Sequence, residues 1–126
     1  MSTAQIHVRG VDYAALPAAD YERAARFYRE TLGLPFGKPW GSMPAGEYET
    51  GNLTLAVMQM DAFGLEFQPH GGPLALRVDD VHAARAALEA QGVEFVGETI
   101  DSGVCHQAIF HDTEGNTLIL HHRYKP

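Results

Sequence analysis

Two stretches, YAALPAADYERAARFYRETLGLPF (Tyr13–Phe36) and PLALRVDDVHAARAALEAQGVEF (Pro73–Phe95), are two versions of one segment. Set sixty positions apart, Leu16 falls on Leu76, Asp20 on Asp80 and Ala24 on Ala84. After one dropped residue, Gly33 meets Gly92 and Phe36 meets Phe95. Further on, TGNLTLAV (Thr50–Val57) parallels EGNTLILH (Glu114–His121), sharing Gly-Asn. Any single match could be chance. Their common order points to an internal duplication.

Each copy reads as a strand, a helix and further strands. Val11–Ala18 is a short apolar strand. Asp20 and Asp80 can each accept hydrogen bonds from the first free N–H groups of a following helix. Between Asp20 and Leu32, the residues Ala24, Phe27, Tyr28 and Leu32 share one helical face. Gly33 suits the left-handed position past a helix end. The second helix, Val81–Gln91, buries Val81, Ala84, Ala87 and Leu88, and Gly92 closes it. The strands after the first helix are Phe36–Trp40, GEYET and NLTLAVMQM. Those after the second are VEFVGET, GVCHQAIFH and TLILHHR. TGN and DTEGN are the intervening turns, with Gly115 able to take a positive φ. FGLEFQPHGGP (Phe63–Pro73) is rich in Gly and Pro and reads as the joint. The expectation is a single domain over residues 1–126. Module one covers about 6–62, a linker 63–72 and module two 73–123.

A content of 45% hydrophobic and 20% charged residues fits a soluble globular domain. No apolar run approaches the roughly 18 residues that span a bilayer. The formal charge of −7, without a Lys/Arg run, argues against a nucleic-acid partner. HHRYKP at the end reads as a solvated tail. One cysteine, Cys105, excludes an internal disulfide and a Cys-built zinc site. MSTAQIHVRG lacks the apolar core of a signal peptide, so cytoplasmic residence is expected.

Within this repeat, the motifs DYERAARFYRETLGL (Asp20–Leu34) and FHDTEGN (Phe110–Asn116) resemble those of the vicinal oxygen chelate superfamily. That superfamily holds glyoxalases, bleomycin-resistance proteins, fosfomycin-resistance enzymes and extradiol dioxygenases. The resemblance runs over Val11–Arg123. It implies an α+β fold of tandem βαβββ modules whose curved sheets surround a cavity, glyoxalase/bleomycin-resistance-like. It also implies a homodimer with modules paired across chains. In the family's metalloenzymes, four pseudo-symmetric positions hold a divalent ion. Counting seven residues back from Asp20 and Asp80, and four on from Gly51 and Gly115, reaches Tyr13, Pro73, Leu55 and Ile119. Pro, Leu and Ile carry no donor atom, and a phenol is an uncommon ligand. A shift of one residue brings Ala56 or Leu120, which ligate no better. No metal and no cofactor are therefore expected, and these positions become lining for a small molecule.

Strand alternation sorts the remaining candidates. If Ile119 faces the cavity, so do Thr117 and His121, while Leu118, Leu120 and His122 point away. His121 is the candidate for hydrogen-bonding a ligand or for acid–base work. The plainer alternative is a polar residue at a strand mouth. On the next strand, Cys105, Gln107 and Ile109 face inward and His106, Ala108 and Phe110 outward. Gln107 either orients a ligand or is a satisfied core amide. Cys105 reads as a small buried hydrophobe. Tyr13, Phe36, Trp40 and Tyr48 are expected on the cavity wall, or simply as core. Arg77 could hold a carboxylate or phosphate, or close a structural salt bridge. His106 and His122 could share a face as an off-pattern metal site, although no third ligand is evident. His7, His70, His82 and His111 read as surface or loop residues. The function implied is a small-molecule-binding protein of the glyoxalase/bleomycin-resistance type, without the usual metal centre. The alternative is an enzyme of the same family (a lyase, isomerase or dioxygenase) using His121 or a non-standard metal site.

Overall fold

The computed structural model describes residues 6–126. Module one runs β1 (Ala14–Ala18), α1 (Tyr21–Arg26), β2 (Phe36–Pro39), β3 (Ala45–Glu49) and β4 (Thr54–Gln59). Module two runs β5 (Leu74–Arg77), α2 (Val81–Glu89), β6 (Phe95–Asp101), β7 (Cys105–His111) and β8 (Thr117–Arg123). Each module forms a four-stranded sheet, in the orders β1-β4-β3-β2 and β5-β8-β7-β6. The first strand of each pairs parallel with the last, and the other pairs are antiparallel. A parallel pair needs a long crossover, and the helix belongs to it. This is the α+β tandem βαβββ architecture that the repeat implied.

Two local expectations are corrected. The first strand begins at Ala14, where register with Leu55 starts, and Val11–Tyr13 lie exposed before it. The first helix does not run as one α-helix to Leu32. It passes at Phe27 into a π turn, Phe27–Thr31, in which Leu32 N donates to Phe27 O at 2.9 Å. The wider turn lets the consecutive residues Phe27 and Tyr28 both be buried. Gly33, with φ 71°, then ends the helix.

Both helices lie on one side of their sheets. Leu16, Tyr28, Tyr48, Leu55, Val57, Val81, Leu88, Phe110, Leu118 and Leu120 form one continuous core there, shared by both modules. Asp20 and Asp80 cap the helices as read, accepting from Arg23 N and Ala83 N.

The β7–β8 turn of module two fastens onto the start of α1. Glu114 Oε1 accepts from the N–H groups of Ala19 and Asp20 at 2.9 and 3.0 Å. Arg23 donates to both oxygens of the same carboxylate, at 2.7 and 3.0 Å. Asn116 donates to Pro17 O, and Tyr28 Oη donates to the buried Asp112. Burial and the Asp112 charge push the Tyr28 pKa well up, so it stays a donor. Burial alone would raise the Glu114 pKa. Bonds from Arg23, from Thr113 and from the Asp20 and Ala19 N–H groups outweigh it and hold the pKa at about 2.

Glu114→Gln should therefore cost about 2 kcal/mol in urea unfolding at neutral pH, discounted because Arg23 is half exposed. The Glu114 contribution is fully present above its ordinary value of 4.5 and is lost as pH falls from there towards about 2. The gap between wild type and variant should close over that window. A gap that is constant with pH would show that the charge is not what stabilises the junction.

Candidate functional site

Alternation gives each sheet a second face, turned away from the helices. In module two, cross-strand register builds two rows on it. Ala75, Ile119, Ile109 and Val96 stand side by side, forming an aliphatic row. Arg77, His121, Gln107 and Ile100 form the next, more polar row. Ile119, Ile109, Gln107 and His121 are half-buried, while Val96 and Ile100 are about half exposed, at 51% and 47%. Cys105 lies on the same face by alternation, its Sγ 3.1 Å from Ser102 Oγ and 3.9 Å from Gln107 Nε2. Pro73 is exposed just before β5. Arg77, on the edge strand, is exposed beside its register partner His121.

In module one the open face carries Ala15, Ala45, Ala56, Glu47, Glu49 and Thr54, as the register pairs require. Ala45 and Ala56 are fully buried, yet they do not belong to the core beneath α1. The large groups on their side are aromatic. Trp40 Nε1 donates to Glu47 Oε2 at 2.8 Å. Tyr13 packs edge-on to Trp40, with ring centroids 5.2 Å apart, and Phe63 does so at 6.1 Å. Thr54 donates its hydroxyl to Glu49. No arginine or lysine pairs with Glu47 or Glu49 among the described residues.

Three expected wall residues are elsewhere. Leu55 and Tyr48 are register partners on the helix side, both fully buried. Tyr48 contacts Tyr28 and bonds Tyr21 Oη, and burial raises its pKa. Phe36 pairs with Tyr48 and packs edge-on to it, so it belongs to the same side. Gly46 suits this packing, since a Cβ there would collide with the Tyr21 hydroxyl and crowd the Phe36 ring. For Leu55 the reason is turn length. Four residues separate Glu49 from Thr54, but five separate His111 from Thr117. Counting from glycine therefore reaches the open face in module two and the helix face in module one. Ala56, not Leu55, matches Ile119.

The chain also matches known proteins. The family model for the Glyoxalase/Bleomycin resistance protein/Dioxygenase superfamily matches residues 10–120. A "Glyoxylase-like domain-containing protein" of Didymella fabae is 33% identical over 108 residues, covering 81% of this chain and 84% of that one. The chain belongs to the glyoxalase/bleomycin resistance/dioxygenase superfamily. Among solved structures, TnmS3, an antibiotic binding protein from Streptomyces sp. CB03234, superposes with TM-score 0.75 at 26% identity, covering 94% of this chain and 99% of that one. Lactoylglutathione lyase from Agrobacterium tumefaciens gives TM-score 0.75 at 17% identity, covering 91% and 94%. A glyoxalase/bleomycin resistance protein/dioxygenase from Nocardioides gives 0.71 at 19%, covering 92% and 85%.

The superfamily's divalent ion does not fit the residues present. The corresponding positions hold Tyr13, Ala56, Pro73 and Ile119, which offer one phenol among them. Among the described residues, no three His, Cys, Asp or Glu side chains group so as to hold a metal. His106 and His122 are register partners, as expected, but the His106 ring packs against His82 and Tyr124. His106 lies 3.4 Å from Asp101, whose own pKa is lowered chiefly by the Tyr124 hydroxyl. His82, read as a surface residue, thus belongs to that contact. Sequence reading also missed Glu47 and Phe63 beside Trp40. The signal for Glu47 was its strand alternation, whereas Phe63 lies in a single 3₁₀ turn that the joint obscured.

Trp40 is the only tryptophan, so its bond to Glu47 can be read directly. Glu47→Ala should move the single indole N–H resonance upfield in a nitrogen–proton correlation spectrum. An unmoved resonance would mean the bond does not persist in solution.

Proposed function

We propose that this chain is a small-molecule-binding member of its superfamily that works without the divalent ion. The observation that carries this reading is the set of side chains at the ligand positions: Tyr13, Ala56, Pro73 and Ile119. Holding a divalent ion takes lone pairs from imidazole, carboxylate or thiolate groups. An aromatic corner of Tyr13, Trp40 and Phe63 stands there instead, with the aliphatic row of Ile119 and Ile109 in the other module. Apolar and aromatic walls with a few polar groups, here Gln107, His121 and Glu47, are the lining of small-molecule sites. The likeness to TnmS3, an antibiotic binding protein, supports sequestration of a compound over its turnover. In a single chain each open face leaves a ligand uncovered on one side. Val96 and Ile100 there, and Ile6 and Val8 in the preceding segment at 85% and 81% exposure, favour a second copy as the cover. The working form in this reading is a cytoplasmic homodimer.

The test begins with metal. Untagged protein prepared without chelator should take up no stoichiometric Zn²⁺, Mn²⁺, Fe²⁺ or Ni²⁺ by calorimetry. One tightly bound ion per chain would overturn the reading. Planar aromatic compounds should quench Trp40 emission, and Tyr13→Ala should weaken the best of them by about tenfold, a loss of roughly 1.4 kcal/mol. Sedimentation equilibrium should report a dimer.

The pairing of His121 with Gln107 on one open face supports a second reading, an enzyme with His121 as acid–base group. For any substrate turned over, His121→Ala should then lower kcat by about a hundredfold or more. Undiminished turnover would remove this reading.

A further inference from the structure

The internal repeat makes two junctions between the modules, and they are not alike. At one, Glu114 and Asn116 of module two bond Pro17, Ala19, Asp20 and Arg23. At the other, the corresponding residues are Thr50 and Asn52, facing the end of β5. There Thr50 donates to Asn52 Oδ1 and Leu53 O within its own turn, and among the described residues no side-chain hydrogen bond runs from that turn to β5. The turn is one residue shorter and folds on itself. What remains is a groove of about 360 Å³, lined by Leu32, Leu53, Leu55, Leu76 and Leu120 and bordered by Arg77. Among the described residues, Arg77 is the only charged one at its border; by alternation its side chain leaves β5 on the open-face side, so it meets the groove at the strand's free edge.

β5 is also an edge strand, paired with β8 on one side only. Val78 N donates to His121 O, so the N–H groups of Leu76 and Val78 point towards β8. Those of Ala75 and Arg77, which also line the groove, point the other way.

We infer that this groove is a second small-molecule site, on the helix side and free edge of β5, and that it takes an amphipathic monocarboxylate. The aliphatic chain leaves water for the leucines. The carboxylate meets the one cation at the border and the outward N–H groups of the edge strand. The volume lies within the range of small-ligand sites. This inference does not depend on the function proposed above.

The full chain is titrated calorimetrically with octanoate, decanoate, decanol and decyltrimethylammonium. Decanoate should bind, about fourfold tighter for each methylene beyond octanoate. Decanol should bind at least about tenfold more weakly, and the ammonium compound weakest of all. Leu53→Trp fills the groove and should abolish decanoate binding while circular dichroism keeps the wild-type spectrum. Arg77→Gln should bring decanoate and decanol to within about twofold of each other. Trp40→Phe, on the open face, should leave decanoate binding unchanged. Absence of decanoate binding, a stronger ammonium compound, or loss of binding in Trp40→Phe would each overturn the proposal. If Leu53→Trp does not fold, Arg77→Gln decides, and an undiminished preference for the carboxylate rejects the site.

Discussion

The carboxylate of Glu114 sits at the start of α1, bonded by the Ala19 and Asp20 N–H groups and by Arg23. It is a fully buried side chain that belongs to module two but completes the helix start of module one. A buried carboxylate is costly unless every lone pair is used, and here Thr113 supplies a further donor. The arrangement tolerates little displacement. It sets the distance between the modules, and with it the shared leucine and aromatic core on the helix side. Asn116 and Asp112 extend the same logic: each bonds across the junction while also holding the turn in shape.

The opposite junction shows what happens without such a group. Thr50 cannot carry a charge across, and its short side chain satisfies its own turn instead. Leu32, Leu53 and Leu76 stay half-buried around a groove. One residue of turn length thus has two effects. It leaves the second junction open, and it shifts the register after Gly51 so that Leu55 and Ala56 exchange faces relative to a count from glycine. A one-residue change in a strand always moves a side chain to the other face, which is why spacing rules derived from one module fail in the other.

The architecture was legible because it rests on short-range signals that occur twice. Asp20 and Asp80 begin the helices, Gly33 and Gly92 follow them, and the apolar residues between fit a helical face. The open face of module two was legible for a similar reason, since alternation from Ile119 through His121, and from Ile109 through Cys105, has no irregularity to cross. Module one was harder. Tyr48, Phe36 and Leu55 are as hydrophobic as wall residues should be, and nothing local says which face takes them. Leu55 follows from the turn length, while Gly46 leaves room for the Tyr21 and Phe36 rings beside Tyr48, a contact between residues far apart in sequence. Trp40 was placed by its aromatic character and Tyr13 also by the count back from Asp20. Their ring contact, and the bond from Trp40 to Glu47, needed the tertiary geometry.

The two faces of each sheet obey different constraints. On the helix side every large side chain has a partner, and no buried side-chain nitrogen or oxygen among the described residues lacks a hydrogen bond. A change there must be absorbed by a close-packed core. The open faces carry small residues under aromatic rings in one module and a half-exposed aliphatic row in the other. Ile119 is half-buried on the open face, so a polar group there would disturb little of the shared core, whereas the fully buried Ala56 leaves no room for one. The chemistry of the Ile119 position is therefore separable from the fold, because its side chain points away from the core that holds the modules together. A site built on such positions can therefore vary while the scaffold stays the same.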